Sequence, residues 1–555
     1  METKSNDVLR QEILNTLPAG WEFARDLIVI VGDCGGRLVE KYRGVGQEKL
    51  VVLVPELAAY TTEIPDDVIV CEVRSLVDVV KAVGHGVVHH AWVARVPEGG
   101  FDDDDMVVIR EKITIAMRAR LMNVATIESF GRDWILQSMN NLPLVSEAPG
   151  VCALARAFLG RPAVVVSPGP SLSKQLELLA TLGDRAVVIA GAHALHALQD
   201  AGVRVDVAMV IDAGEEVQRH FEGIDVGRLG SLVVSLVVNE GLARLPVESR
   251  FVVSVNGAID SWPFEPMGDR PAISSGGSVS CAGFSLAQVM GCDPIVLVGQ
   301  DLAMTDGQMY AAETLDGSAG VSVEQGGFIL KKPVGAEGPG YRLPDGSIQF
   351  SRVQKLSTLP GYYGGSVQTS SRLEQFHNWF EMAAERNETK VRLVNATEGG
   401  ANIRGMENVP FAEMVESFTE RFPVREVLRD ASRVTRSERA GACVQHIRVM
   451  KRSLDESALI AERCARLVER ARGDARALDQ LGRMEQDLRV ALEPVRFFTM
   501  FAQSELDKAR MAAFQAKSLD ENLDAVRALM QVVVDAVDLL RQPLEDAEAE
   551  LASSI

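Results

Sequence analysis

In the middle of this 555-residue chain, carboxylates, hydroxyls and glycines recur at the ends of apolar runs. VVVSPGPSLSKQLELL, Val164 to Leu179, ends an apolar run at Ser167 and turns through Pro168-Gly169-Pro170-Ser171-Leu172 into an amphipathic stretch. Gly169 permits a close backbone approach, Pro170 stiffens the turn, and Ser171 is placed to cap the helix. The N–H groups at the positive end of such a helix suit a phosphate or pyrophosphate, and an ordinary strand-to-helix cap has the same outline. Gly191, His193 and His196 follow a second run; Asp206 precedes a third and Asp212 follows it. Asp212 fits three tasks, positioning a metal-bound phosphate, accepting sugar hydroxyls or acting as a base, and it also fits a plain helix cap. Ser274 to Ser280, including Gly276, Gly277 and Ser278, form a small-residue loop of clustered N–H and O–H donors, and Gly299-Gln300-Asp301 ends the run after it. Asp206, Asp212 and Asp301 are therefore the candidate site carboxylates. A serine hydrolase is not supported, because the chain has no G-x-S-x-G elbow and its eight histidines show no triad spacing.

Such residues need a scaffold that gathers strand ends on one edge. Val- and Ile-rich runs at Ala163 to Ser167, Ala186 to Ala190, Val207 to Ile211, Leu232 to Val238, Arg250 to Val255 and Pro294 to Val298 are separated by helix-length segments. They predict a mostly parallel, doubly wound α/β sheet with its ligand at the carboxyl ends of the strands. Upstream, LIVIVGDCGG, LVVLVPE, VIVCE and a run near Val87 to Val96 predict a smaller, Rossmann-like N-terminal domain. Its turn, Gly32-Asp33-Cys34-Gly35-Gly36, does not match G-x-G-x-x-G, so a ligand site and an ordinary turn both remain open. Asp102 to Asp105 read as a solvated loop, and Arg110 to Asn141 as a helical connector. From Phe411 the composition shifts to Ala, Leu, Arg and Glu at helical spacing, which predicts an all-α bundle. The expected divisions are 1–110, 111–150, 151–407 and 408–555.

Charge and composition remove other classes. With 57 Lys and Arg against 77 Asp and Glu, the net charge of −20 argues against gripping nucleic acid or an anionic membrane. Seven cysteines with no CxxC pair read as reduced thiols. The N-terminal segment lacks the apolar core of a secretion signal, and no stretch reaches the roughly 18 apolar residues of a membrane span, so a cytoplasmic protein is expected.

Four collinear stretches carry a resemblance: PGPSL, IAGAHALHALQDAGVRVDVAMVID, GGSVSCAGFSLAQVMGCDPIVLVGQDLA and VNATEGGANIRG. Together, over about residues 150–405, they resemble the central domain of the motility accessory factor (Maf) family of flagellin glycosyltransferases. That domain is similar to the MptE-like 6-hydroxymethylpterin diphosphokinases and, distantly, to bacterial sialyltransferases. The resemblance implies transfer of a nonulosonic acid, pseudaminic or legionaminic in type, from its CMP-activated donor to Ser or Thr hydroxyls of flagellin, as flagellum assembly and motility require. It implies that Gly169, Pro170 and Ser171 hold the nucleotide or its phosphate, and that Gly191 and Asp206 join the donor site. Asp212, the Gly276-Gly277-Ser278 loop and Asp301 would line the reaction centre, with Asp212 and Asp301 catalytic, and Glu398 would close the pocket. No metal ligands are expected; Mg²⁺ is optional and no other cofactor is implied. One departure is that His193, His196, His220 and His377 do not sit in the sialyltransferase histidine motif. Two rival expectations stand beside this one. The first is an MptE-like diphosphokinase that uses ATP and Mg²⁺ on a hydroxymethylpterin; the second is a flagellin-binding, chaperone-like factor working through its helical tail.

Overall fold

The computed structural model describes residues 26–45, 49–61, 68–76, 90–97, 99–255, 257–317, 354–387, 390–495 and 518–555, with four short strands between 321 and 349 and isolated positions elsewhere. The chain forms two compact units, Met1–Thr126 and Ile127–Ile555, in a mixed α/β architecture with parallel sheets.

In the first unit, β1 (Leu27–Val31), β2 (Lys49–Leu53), β3 (Val68–Cys71) and β4 (Ala91–Arg95) pair in parallel in the order β3-β2-β1-β4. All five residues of β1 are buried, as the unbroken LIVIV run requires of a central parallel strand. Part of the strand expected from Val87 lies outside the described residues. The turn after β1 is closed by protein. Gly32 sits at φ +80° with its Cα against the Gly99 backbone, where a Cβ would come within 2.5 Å. The buried Asp33 carboxylate accepts the N–H groups of Arg37, Leu38 and Val39 at 3.0, 2.7 and 3.0 Å. It fills the helix N-terminus that an anionic ligand would need. Asp33→Ala is expected to destabilise this unit by about 1–2 kcal/mol, as loss of a helix cap does, readable as a lowered urea midpoint.

The acidic run is a helix start and not the expected loop. Asp103–Asp105 open the helix Asp103–Asn140, and Asp102 and Asp105 cap each other: Asp102 N–H donates to Asp105 Oδ2 at 2.9 Å and Asp105 N–H to Asp102 Oδ1 at 2.8 Å. Negative charge is favourable at the positive end of a helix, which outweighs the mutual repulsion of the adjacent carboxylates.

The second unit is built on eight parallel strands: β5 (Ala163–Val166), β6 (Val187–Gly191), β7 (Val207–Val210), β8 (Ser231–Val234), β9 (Ser249–Val252), β10 (Ile295–Val298), β17 (Leu393–Asn395) and β18 (Glu407–Asn408). They stand in the order β18-β17-β10-β5-β6-β7-β8-β9. The chain runs outward from β5 to β9, then returns through the helix Val279–Val289 to β10 on the other side of β5. Strand periodicity splits the core. Ala163, Val165, Ile189 and Met209 pack with Cys281 and Phe284 on one face, whereas Val164, Val166, Ala190 and Ala208 face the other. That second core is continuous with Ile447 and Leu540 of the long helices Arg436–Ala471 and Leu519–Ala552, so the C-terminal helices share a hydrophobic core with the sheet layer. Between β10 and β17 the chain inserts β11 (Val321–Glu324), β12 (Gly327–Leu330), β13 (Tyr341–Arg342) and β14 (Ile348–Gln349), then the antiparallel pair β15 (Gln354–Pro360) and β16 (Ser366–Ser370). Among the described residues no helix is long and apolar enough to cross a membrane.

Candidate active site at the carboxyl ends of the parallel strands

The ends of β10, β5 and β17 meet in a closed clasp centred on Asp301. Its carboxylate Oδ2 accepts the Ser171 hydroxyl at 2.6 Å and the Ser171 N–H at 3.1 Å, and Oδ1 accepts from Thr305 Oγ1 at 3.3 Å. Asp301 and Ser171 are each 2% exposed. Burial raises the Asp301 pKa, against the hydrogen bonds from Ser171 and Thr305 that favour its ionised form. The motif glycines allow this packing: a Cβ on Gly169 would reach Asp301 Oδ2 at 2.3 Å, and one on Gly400, at φ +63°, would reach the Asp301 carbonyl at 2.2 Å.

This clasp corrects the expectation that Gly169, Pro170 and Ser171 present free N–H groups to a phosphate. The Gly169 N–H donates to Gly299 O at 2.9 Å, that of Ser171 is bound by Asp301, that of Leu172 donates to Gly169 O at 3.0 Å, and Pro168 and Pro170 have none. Nor is Ser171 the cap residue. Gly169 precedes the short helical turn Pro170–Lys174, and a carboxylate from 130 residues along the chain does the capping. Glu398 is likewise engaged within the protein. At φ +54°, its Oε2 accepts from Phe411 N–H at 3.0 Å and Gln175 Nε2 at 3.2 Å, which ties β17 to the start of the helix Phe411–Ser417.

The open part of the rim lies at β6 and β7. Asp212, just past β7, is exposed, yet the surrounding walls desolvate its carboxyl enough to raise its pKa; Arg372 and then His193 oppose that rise. Arg372 enters from the first turn of the helix Ser371–Glu385, its guanidinium 5.7 Å from the centre of the Phe376 ring. The same helix shapes the glycine loop. The Trp379 ring occupies the space of a Gly276 Cβ, at 2.6 Å with φ +53°, and Trp379 Nε1 donates to Ser274 Oγ at 3.0 Å. Ser278 caps the helix Val279–Val289 by accepting Cys281 N–H at 3.2 Å. Helix geometry leaves the N–H groups of Val279 and Ser280 without intrahelical acceptors, so the unfilled helix N-terminus is here and not at Gly169. Gly191 lets this start settle on the end of β6, since its missing Cβ would stand 3.0 Å from Val279 Cγ1.

Two histidines adjoin this part of the rim. The His193 and His220 rings lie 3.9 Å apart, centre to centre. Burial lowers the His193 pKa; burial and then the neighbouring His193 push His220 down to about 3. His377 is distant in role: its Nε2 bonds Asn402 O at 2.7 Å.

Asp206 does not join the site. It precedes β7, at the amino edge of the sheet opposite the other candidates, because all the strands run the same way. Fully buried, it accepts Val188 N–H at 2.9 Å and pairs with Arg204 at 2.8 Å. Burial outweighs Arg204 and raises its pKa to about 6. A raised folded-state pKa adds stability that is full below the unfolded value and is lost as pH rises through the folded one. Wild type is therefore expected to lose about 3 kcal/mol relative to Asp206→Asn between about pH 3 and pH 7, since each tenfold change in proton affinity is worth about 1.4 kcal/mol. Chemical unfolding of both proteins across that range checks it.

The two expected catalytic carboxylates are also separated. Asp301 follows β10 and Asp212 follows β7, three strand spacings away or about 14 Å. Sequence reasoning missed Arg372, Thr305 and the double role of Gly399-Gly400, none of which lies in a patterned strand end; a Cβ on Gly399 would touch Ser171 Cβ at 3.3 Å.

Residues 136–307 match the family model described as 6-hydroxymethylpterin diphosphokinase MptE-like. No curated protein matches the sequence. Among solved structures, the chain is similar to the structure of MAf glycosyltransferase from Magnetospirillum magneticum AMB-1, at 15% identity and a TM-score of 0.58, with 100% of this chain and 87% of that chain covered. The family match spans the first three of the four collinear motifs: residues 136–307 are similar to the MptE-like family, in a chain that shares the fold of a MAf glycosyltransferase.

Proposed function

We propose that the protein is a cytoplasmic glycosyltransferase that moves a nonulosonic acid of pseudaminic or legionaminic type from its CMP-activated form to Ser or Thr hydroxyls of flagellin. One observation carries the reading: the exposed Asp212 stands beside His193 and the Arg372 guanidinium, on the rim where the helix Val279–Val289 begins. Loss of CMP from a keto-acid sugar passes through an oxocarbenium-like transition state, so the departing phosphate needs fixed positive charge and the acceptor hydroxyl needs a base. Arg372 and the Val279 and Ser280 N–H groups supply the first. Asp212 supplies the second by taking the hydroxyl proton. Asp301 is a positioning residue that holds the ends of β5, β10 and β17 together. The C-terminal helices, sharing a core with the sheet, offer flagellin a rigid support.

The test is incubation of the protein with CMP-pseudaminic or CMP-legionaminic acid and flagellin, followed by mass spectrometry of the flagellin. A mass increase of one sugar per modified hydroxyl, with release of CMP, is the expected result; unchanged flagellin with both donors counts against the proposal. The family match favours a second reading, an MptE-like diphosphokinase. It predicts Mg²⁺-dependent AMP release from ATP in the presence of a hydroxymethylpterin, and no CMP release from the sugar donors.

A further inference from the structure

His220 is 1% exposed, and neither of its ring nitrogens has a hydrogen-bond partner. A buried polar group without a partner is costly, so a buried histidine with both ring nitrogens unpartnered calls for a ligand. Its surroundings supply two more donors. Ligand atoms of His193, His220 and Asp316 all lie within 4.8 Å of one another. His220 Nε2 stands 3.9 Å from Asp316 Oδ2, beyond hydrogen-bond reach. We propose that His193, His220 and Asp316 form a binding site for one divalent transition-metal ion of the zinc class.

Donor type selects the ion. Two neutral imidazoles and one carboxylate suit Zn²⁺ and its first-row neighbours, whereas Mg²⁺ and Ca²⁺ prefer an all-oxygen shell. Tetrahedral bonds of about 2.0–2.1 Å place ligand atoms about 3.4 Å apart, so donors within 4.8 Å of one another need to close by at most about 1.4 Å. Asp316 is already oriented for this: Arg219 Nη2 donates to its Oδ1 at 2.6 Å, leaving Oδ2 toward His220. The donors come from three places in the chain. His193 follows β6, His220 lies in the turn Glu215–Phe221 after β7, and Asp316 lies in the segment after β10. That segment is fastened to the clasp by Ala311 N–H donating to Pro168 O at 2.9 Å. An ion there joins three loops beside Asp212, and with three protein ligands it keeps a position open for an oxygen ligand.

Metal binding is read without any donor sugar, so the outcome is independent of the transferase reading. Tag-free full-length protein is stripped with chelator and titrated with Zn²⁺ against a chromophoric competitor, and with Co²⁺ followed by visible absorption. One equivalent per chain is expected, with a tetrahedral or five-coordinate Co²⁺ spectrum. His220→Ala opens a buried space, so Asp316→Asn and His193→Gln serve as the milder variants, with circular dichroism as a folding control. Each is expected to weaken Zn²⁺ by more than the roughly 10–100-fold typical of losing an outer-shell partner. Absence of Zn²⁺ and Co²⁺ binding to the wild type, or wild-type affinity in folded Asp316→Asn and His193→Gln, overturns the proposal.

Discussion

Asp212→Asn is expected to lower the rate of sugar transfer by about 10²–10⁴-fold, the range for removing a general base, while the unfolding midpoint stays where it is. The two halves of this expectation have one origin. Asp212 is exposed and makes no hydrogen bond to a described side chain or backbone group, so the fold does not lean on it. Its carboxyl is nonetheless desolvated enough to raise its pKa, with Arg372 and then His193 opposing the rise. The amide keeps shape and volume and removes only basicity. Release of CMP, measured with and without flagellin, separates the proton-transfer role from donor binding: Asn at this position should impair transfer to flagellin far more than it weakens CMP binding. Full transfer by a folded Asp212→Asn protein assigns the base elsewhere, and His193 is then the group to replace.

The second large effect is on stability. Asp301→Ala leaves the Ser171 hydroxyl and N–H without their acceptor at a site 2% exposed, and each buried unsatisfied group costs about 1–3 kcal/mol. A loss of about 2–5 kcal/mol in unfolding free energy is expected, a large share of the total for any domain. Asp301→Asn retains an acceptor oxygen and should lose less. The pH dependence has a definite sign. Because burial raises the Asp301 pKa, its contribution is greatest at low pH and is lost as pH rises through the folded value. The deficit of Asp301→Ala should therefore be larger in acid than at neutral pH. Urea unfolding across the acid-to-neutral range decides it, and an equal or reversed deficit contradicts the raised pKa of Asp301.

Strand ends were legible because strand positions were. Five consecutive buried strands, β5 to β9, follow Val- and Ile-rich runs, and in a parallel sheet every residue just past a strand falls on one rim. The same rule puts Asp206 on the opposite rim. It stands one residue before β7, and position relative to the strand, not nearness in the sequence, decides which rim a residue joins. The acidic run at Asp102–Asp105 is ambiguous in the sequence for a related reason, since its role depends on whether a helix begins there.

The sequence alone determined the sheet, its direction and the glycines of the motif loops, because periodicity and backbone freedom are local properties. Only the tertiary structure decided which polar groups are spent inside the protein and which remain open. Asp33, Asp301 and Glu398 each read as a candidate for an outside ligand or lay beside one, yet each carboxylate is satisfied by backbone N–H groups. His220 shows no pattern in the sequence, and both of its buried ring nitrogens are left without a partner beside His193 and Asp316. A hydrogen bond between residues more than a hundred positions apart leaves no trace in local spacing. It is the packing of β5, β10 and β17 against one another that closes the clasp and leaves the rim at β6 and β7 open.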